Sequence, residues 1–302
     1  MPKIAAGITL YEPEPQRLKE NVEAVLKQVE RLYIVDNASS DLGEFKAAVR
    51  QDERIVLIEN SENAGVARAL NQMCEAAEGD GFEWLLTLDQ DSLTEPDIIE
   101  KFCRYTDIPE VAIITPRYVD DNEPQIVSSE SPAPYETVKR CDTSASLVRL
   151  EVWQEVGGFD EAMFIDYVDF DFCTTVIENG YVILRDNEAV LHHRLGKAQE
   201  ITFFIPIGRV FHIKKLQKPI FTYNHPPLRT YYFVRNAIYY RYKHRGSVDS
   251  RHERRAVIRW VLLKLMFEKQ KTAQLKAALR GKRDSKKMIE KYSAGQKKPD
   301  AE

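Results

Sequence analysis

Leu85-Leu86-Thr87-Leu88-Asp89-Gln90-Asp91-Ser92 decides how the rest of the chain is read. An apolar strand runs straight into two carboxylates spaced i, i+2. That places oxygen ligands at a sheet edge, where a hard divalent cation could bridge them to a pyrophosphate. Taken alone, the same residues also read as a solvated turn with a helix cap, so the neighbouring segments must decide.

Upstream, Lys3 to Leu10, Arg31 to Val35, Arg54 to Ile58 and Glu83 to Leu88 read as short apolar strands. Between them lie a helical pattern carrying Leu18, Val22, Val25, Leu26 and Val29, and another from Ala64 to Ala77. Strands alternating with helices predict crossover units, a parallel sheet and an α/β fold. In such open sheets ligands bind beyond the carboxyl ends of the strands. The polar residues gather there: Thr9 and Tyr11 after the first strand, Asp36 and Asn37 after the second, Asp89 to Ser92 after the fourth. Downstream the pattern fades between Ile108 and Asp142, apart from a strand at Val111 to Thr115. It returns with a strand at Thr143 to Arg149, a helix from Leu150, an acidic helix start at Asp166 to Asp171, a strand near Tyr181 to Leu184, and helices past Pro227.

Four further segments carry candidate chemistry, each with a plainer reading beside it. Asp36-Asn37 is either an Asx turn capping the next helix or an acceptor for a base or ribose. Asn63-Ala64-Gly65-Val66-Ala67-Arg68-Ala69-Leu70-Asn71 resembles a helix start whose free amides and Arg68 suit phosphate, although packing also explains its small residues. From Asp160 to Asp171, acids alternate with Phe164, Tyr167 and Phe170. A solvated face would not alternate this way, so half-buried carboxylates with raised pKa are expected. His192-His193 closes an apolar run and offers one metal ligand.

Composition bounds the rest. A chain of 302 residues, 43% hydrophobic and 30% charged, can bury a full core. Between Arg251 and Lys291 stand 14 Lys or Arg against 4 Asp or Glu, a balance of +10, so the remainder must carry −14 to reach the total of −4. An acidic body that holds a cation and a basic tail that meets something anionic fit this division. Cys74, Cys103, Cys141 and Cys173 are far apart in sequence, which suggests neither a zinc site nor a disulfide framework. A reducing cytoplasm is the expected setting. No apolar stretch reaches the length of a membrane span, and the N-terminal run is too short for a secretory signal.

In this order, the motifs resemble glycosyltransferase family 2, the inverting sugar-nucleotide transferases of GT-A fold, from Ile4 to about Gly196. The resemblance implies a Rossmann-like nucleotide-binding sheet with flanking helices. Thr9 and Tyr11 would line the nucleotide pocket and Asp36 would receive the base. Asn63, Gly65, Arg68 and Asn71 would lie along the nucleotide and its phosphates. Asp89-Gln90-Asp91 would meet the donor, with Asp89 and Asp91 holding a divalent cation, Mg²⁺ or Mn²⁺, Asp91 the more directly, and His193 completing the metal site. Where the family often has Glu-Asp, this chain has Val168-Asp169. Asp169 therefore aligns with the catalytic base, and the departure falls on the acceptor side. The strings around Asp89, Asp166 and Tyr231 resemble the bacterial rhamnosyltransferase branch, which implies a dTDP-L-rhamnose donor.

The expectation is a GT-A catalytic domain over residues 1–220, its nucleotide-sugar half about 1–115 and its acceptor half about 116–220, with a helical basic region at 221–302. It would transfer a deoxyhexose to a hydroxyl of a glycan or lipid-linked glycan. Two rivals are a nucleotidyltransferase, which would want a Gly-rich basic loop where Tyr11-Glu12-Pro13-Glu14-Pro15 stands, and a non-catalytic sugar-nucleotide-binding module. For the tail, Val257, Trp260, Val261, Leu265 and Phe267 with Arg255, Arg259 and Lys264 fit either a helix on anionic lipid or one packed on the protein or in a homo-oligomer. No stacking or groove-reading motif points to nucleic acid.

Overall fold

The computed structural model describes residues 2–120, 133–193, 199–214, 217–222 and 224–296. The chain divides into two compact units, Met1–Arg194 and Leu195–Glu302; position 220 falls inside the second.

The first unit runs β1 (Ile4–Leu10), α1 (Pro15–Val25), β2 (Leu32–Asp36), α2 (Gly43–Val49), β3 (Ile55–Glu59), α3 (Val66–Gly79), β4 (Trp84–Asp89), β5 (Leu93–Thr94), α4 (Ile98–Cys103), β6 (Val111–Asp120), β7 (Tyr135–Val138), β8 (Ser146–Arg149), α5 (Leu150–Glu155), a 3₁₀ turn at Glu161–Met163, α6 (Val168–Glu178) and β9 (Val182–His193). These strands form one nine-stranded sheet in the order β3-β2-β1-β4-β8-β6-β9-β5, with β7 also on β9. The β3-β2-β1-β4 half is parallel, whereas β8 joins β4 and β6 antiparallel. The residues explain the layout. β1 and β2 are buried almost throughout, as strands covered on both faces must be. In α1, Leu18, Asn21, Val22 and Val25 form one buried face at helical spacing, Glu14 caps its start through Arg17 N at 3.2 Å, and Pro15 opens its first turn. Pro116 sits where the β6–β9 register shifts, a position that tolerates a missing ladder donor.

The chain lays β2 and β3 on one side of β1 and then crosses to place β4 on the other. The gap beyond the ends of β1 and β4 is thus a topological switch point, the preferred ligand position in open sheets.

The second unit pairs β10 (Gln199–Ile201) with β11 (Ile220–Thr222) and adds α7 (Ile205–Val210), α8 (Pro227–Lys243), α9 (Ser250–Phe267) and α10 (Lys271–Gln296). Asp249 caps α9 through the amides of Arg251 and His252 at 2.9 and 3.0 Å. Phe233 of α8 stacks on Trp260 of α9, ring centres 4.0 Å apart. Lys264 and Glu268 form a buried ion pair at 2.9 Å. At Gly281 of α10, a Cβ would come within 2.5 Å of the Tyr231 carbonyl of α8, so only glycine permits this crossing. Of the two readings of this helix, packing on the protein fits Val257, Trp260 and Lys264, which face the unit's own interior, while the exposed side of α9 carries Ile258, Leu262 and Met266.

Candidate active site

The pairing of β1 with β4 sets Thr9 opposite Asp89, and its pairing with β2 sets Leu10 opposite Asp36. Burial ends at Leu88, so Asp89, Gln90 and Asp91 emerge half-buried at the switch point. Gln90 Oε1 accepts from the Tyr11 amide at 2.8 Å, which ties the loop after β1 to the carboxylate pair. From α1, Asn21 Nδ2 donates to the Asp89 carbonyl at 2.8 Å and Arg17 Nε to the Asp91 carbonyl at 3.0 Å. The backbone of the pair is thereby fixed from behind. Thr9 Oγ1 is buried with no hydrogen-bond partner in the protein, an open valence of the sort ligands satisfy. The donor set suits a hard cation: two carboxylates at a solvent edge, with oxygens of a diphosphate and water left to supply the remaining ligands. Among the described residues no cluster of three or more His, Cys, Asp or Glu gathers for a metal. His193 ends β9 by its backbone pairing, and its side chain lies outside the described residues.

Asp36 is buried; its Oδ1 accepts from the Ser39 amide at 3.0 Å and its Oδ2 forms an ion pair with Lys46 Nζ at 2.6 Å. Burial alone would push its carboxyl up, but the hydrogen bonds from Lys46 and Ser39 together outweigh this and hold it below the ordinary range. Asn37, also buried, donates to the Gly65 carbonyl at 3.3 Å, so the end of β2 reaches the start of α3.

That start is shaped by Gly65. Its φ is +88°, and a Cβ there would lie 2.7 Å from both the ring and the carbonyl oxygen of Phe164. Asn63 Oδ1 accepts from the Gly65 amide at 3.0 Å, and the Val66 amide donates to the Phe164 carbonyl at 2.7 Å. Arg68 pairs with Glu161 at 3.0 Å and Glu75 at 3.2 Å. Asn71 spends all four hydrogen-bonding positions within the protein: it donates to the Phe159 carbonyl and Glu161, and accepts from Trp153 Nε1 and the Phe159 amide. In this conformation it clamps the turn before the acidic segment rather than offering polar atoms to a ligand.

The acidic segment is strained. Phe164, Asp166 and Tyr167 all have positive φ, between 63° and 67°. Non-glycine residues held this way cluster at functional sites. Tyr167 leads into α6, whose first turn carries Asp169, and the Phe170 amide donates to Asp169 Oδ1 at 2.8 Å. Asp169, Asp142, Thr87 and Cys173 line one small cavity. Burial first, and the Asp142 carboxylate second, push the Asp169 carboxyl up to about 7. The loop before β8 connects this cavity to the carboxylate pair. Thr87 Oγ1 donates to the Thr143 carbonyl at 2.5 Å, Ser144 hydrogen-bonds Ser92, and the Asp89 amide reaches Ser144 Oγ at 3.5 Å. On its other side, Cys141 Sγ lies 3.5 Å from Cys173 Sγ of α6, a proximity that sequence spacing hid.

The order of these features along the chain matches the glycosyl transferase family 2 sequence model over residues 8–170. The chain belongs to glycosyl transferase family 2. As a family 2 chain it is a glycosyltransferase. It is 27% identical to the dTDP-rhamnosyl transferase RfbF of Shigella flexneri over 249 residues, 78% of each chain. Among solved structures it resembles S. aureus TarS 1-349 in complex with UDP-GlcNAc, at 14% identity over 95% of this chain and 81% of that one, TM-score 0.55. It also resembles the mannosyltransferase PcManGT from Pyrobaculum calidifontis in complex with GDP-Man and Mn²⁺, at 15% identity over 94% and 87%, TM-score 0.53. These likenesses establish the GT-A fold.

Within this family 2 site, sequence reasoning missed Arg17, Asn21, Lys46, Asp142 and Ser144. Asn21 had a signal, a polar residue inside the apolar stripe of α1. Asp142 lies at the edge of the stretch too weak to assign, and Ser144 falls inside the strand expected from Thr143, which begins only at Ser146.

Proposed function

We propose that this family 2 enzyme moves L-rhamnose from dTDP-L-rhamnose, with inversion, to a hydroxyl of a cell-surface glycan or lipid-linked glycan intermediate. The observation that carries the donor assignment is the likeness to RfbF along 78% of both chains. The inverting chemistry rests on Asp169. A carboxyl pushed up to about 7 beside a cavity at the sheet edge is matched to taking a proton near neutral pH. In a single displacement the acceptor hydroxyl loses its proton as it attacks, and Asp169 receives it. Asp89 and Asp91 would hold a divalent cation, Mg²⁺ or Mn²⁺, and when bound it would neutralise the leaving diphosphate. Tyr11, Thr9 and Gln90 line the approach to that diphosphate, with Asn63, Gly65 and Arg68 along the nucleotide. Asp36, locked to Lys46, stands at the base end as an ionised acceptor.

A thermal-shift panel of dTDP-, UDP- and GDP-sugars, each with and without Mn²⁺, tests the donor. A ligand at a hundred times its Kd stabilises the fold by about 2.7 kcal/mol. The largest rise in Tm is expected with dTDP-L-rhamnose plus metal. A larger shift with a UDP- or GDP-sugar would replace the donor assignment.

A further inference from the structure

Helix α7 wears its apolar side outward. Phe203, Pro206, Ile207, Val210 and Phe211 are all exposed and follow i, i+3, i+4, i+7, i+8, the spacing of one helical face continued into the flanking turns. Phe203, Val210 and Phe211 are 63%, 72% and 69% exposed, while the helix's buried residue is Gly208. Cations border this face at Arg209, Lys214 and Lys218, each exposed. The rings of Phe203 and Phe204 lie 6.3 and 5.8 Å from that of Phe267, so the face adjoins the C-terminal end of α9. That helix has its own exposed apolar row. Ile258, Leu262 and Met266 repeat at i, i+4, i+8 and are each about half exposed, and Arg251, Arg255 and Arg259 repeat at the same interval on the exposed side of α9. Scattered exposed apolar residues need no explanation, but a contiguous patch edged by charge marks an interaction surface.

The charge decides among occupants. A second copy docked through this face about a two-fold axis would set cations against cations, in a region whose stretch from Arg251 to Lys291 carries +10. A nucleic acid would match the charge and could stack a base on Phe203 or Phe211, yet it would leave the aliphatic Ile207, Val210, Ile258, Leu262 and Met266 in water. An anionic bilayer answers both features, because acyl chains take the apolar side chains while headgroups take the arginines and lysines beside them. We propose that α7 and the outward side of α9 form a lipid-docking face that seats the enzyme on an anionic membrane surface. This goes beyond the transferase reading and does not depend on which donor the enzyme uses.

Flotation of the full-length chain with vesicles of phosphatidylcholine, alone or mixed with phosphatidylglycerol, tests the assignment. The wild type is expected to float with the mixed vesicles only, and less so as salt rises. The double variant Val210→Glu/Phe211→Glu should lose flotation yet melt at the wild-type temperature, since neither side chain is buried. Arg255→Ala and Arg259→Ala should each lower partitioning about fivefold. Donor binding should be unchanged in all of these, so failure here leaves the donor-site reading intact. Absence of flotation, equal flotation with neutral vesicles, or wild-type flotation by Val210→Glu/Phe211→Glu would each overturn the proposal. So would a self-association that this double variant abolishes without any vesicle binding, which would assign the face to a second copy.

Discussion

In the proposed reaction the proton transfer rests on Asp169, a carboxyl whose environment disfavours its charge. Asp169→Asn keeps the shape but cannot accept a proton. Its kcat should fall by roughly 10²- to 10⁴-fold while donor affinity, measured by calorimetry, stays near wild type. Asp166→Asn and Asp171→Asn are the comparisons; loss of turnover in either of them with little change in Asp169→Asn would move the base. The pKa has a direct kinetic consequence. Below about 7 the carboxyl is protonated, so kcat/KM should fall about tenfold per pH unit on the acid side, and Asp169→Asn should lack that limb. At the other end of the site, Asp91→Ala should remove the metal dependence of donor binding. Wild-type turnover by Asp91→Ala in the presence of EDTA would refute a metal role for this residue.

Among the elements, α1 does more than cover the sheet. Asn21 donates to the Asp89 carbonyl from a fully buried position, so Asn21→Leu would fit the space and leave that carbonyl with the longer bond from the Ser92 amide at 3.2 Å. The expected cost is about 0.5–1.5 kcal/mol in stability, read by chemical denaturation. A weaker calorimetric affinity for donor plus metal should accompany it, because the carboxylate pair loses its backing. Unchanged donor affinity in a variant that is destabilised would make Asn21 a packing residue only. The same helix shows what a sequence can disclose. Its apolar stripe at Leu18, Val22 and Val25 was legible because burial repeats with the helical period, as were β1 to β4 and the exit of Asp89 and Asp91. β7 and the loop carrying Asp142 and Ser144 were not, because their places are set by partners far along the chain: Ser144 by Ser92 and Asp89, Cys141 by Cys173. Nor could spacing reveal that Asn71 is consumed by the turn at Phe159, since an amide that clamps and one that binds ligand look alike until its partners are in place.

For the whole molecule, the raised pKa of Asp169 is also a statement about stability. In an unfolded chain this carboxyl titrates near its ordinary value of about 3.9, so between roughly pH 4 and 7 the folded protein retains a proton that the unfolded chain has released. The associated stability is full below about pH 4, declines as pH rises, and is gone above about 7. Asp169→Asn carries no such charge. It should therefore melt several degrees above wild type at pH 8, with the gap closing toward pH 4, as scanning calorimetry would show. An equal gap at both pH values would mean that burial does not set this carboxyl's charge.

The crossing of α8 and α10 at Gly281 bears on how this chain can change over generations. Glycine inside a helix costs roughly 1 kcal/mol relative to alanine, so drift would ordinarily replace it. Here the added methyl would meet the Tyr231 carbonyl at 2.5 Å, and two helices would have to part to admit it. Descendants of this sequence are free to vary at exposed positions such as Lys286 and Lys287, but any that keep this helix pair at its present spacing inherit a glycine at 281. That residue is a one-letter marker by which the second unit can be followed through otherwise divergent tails.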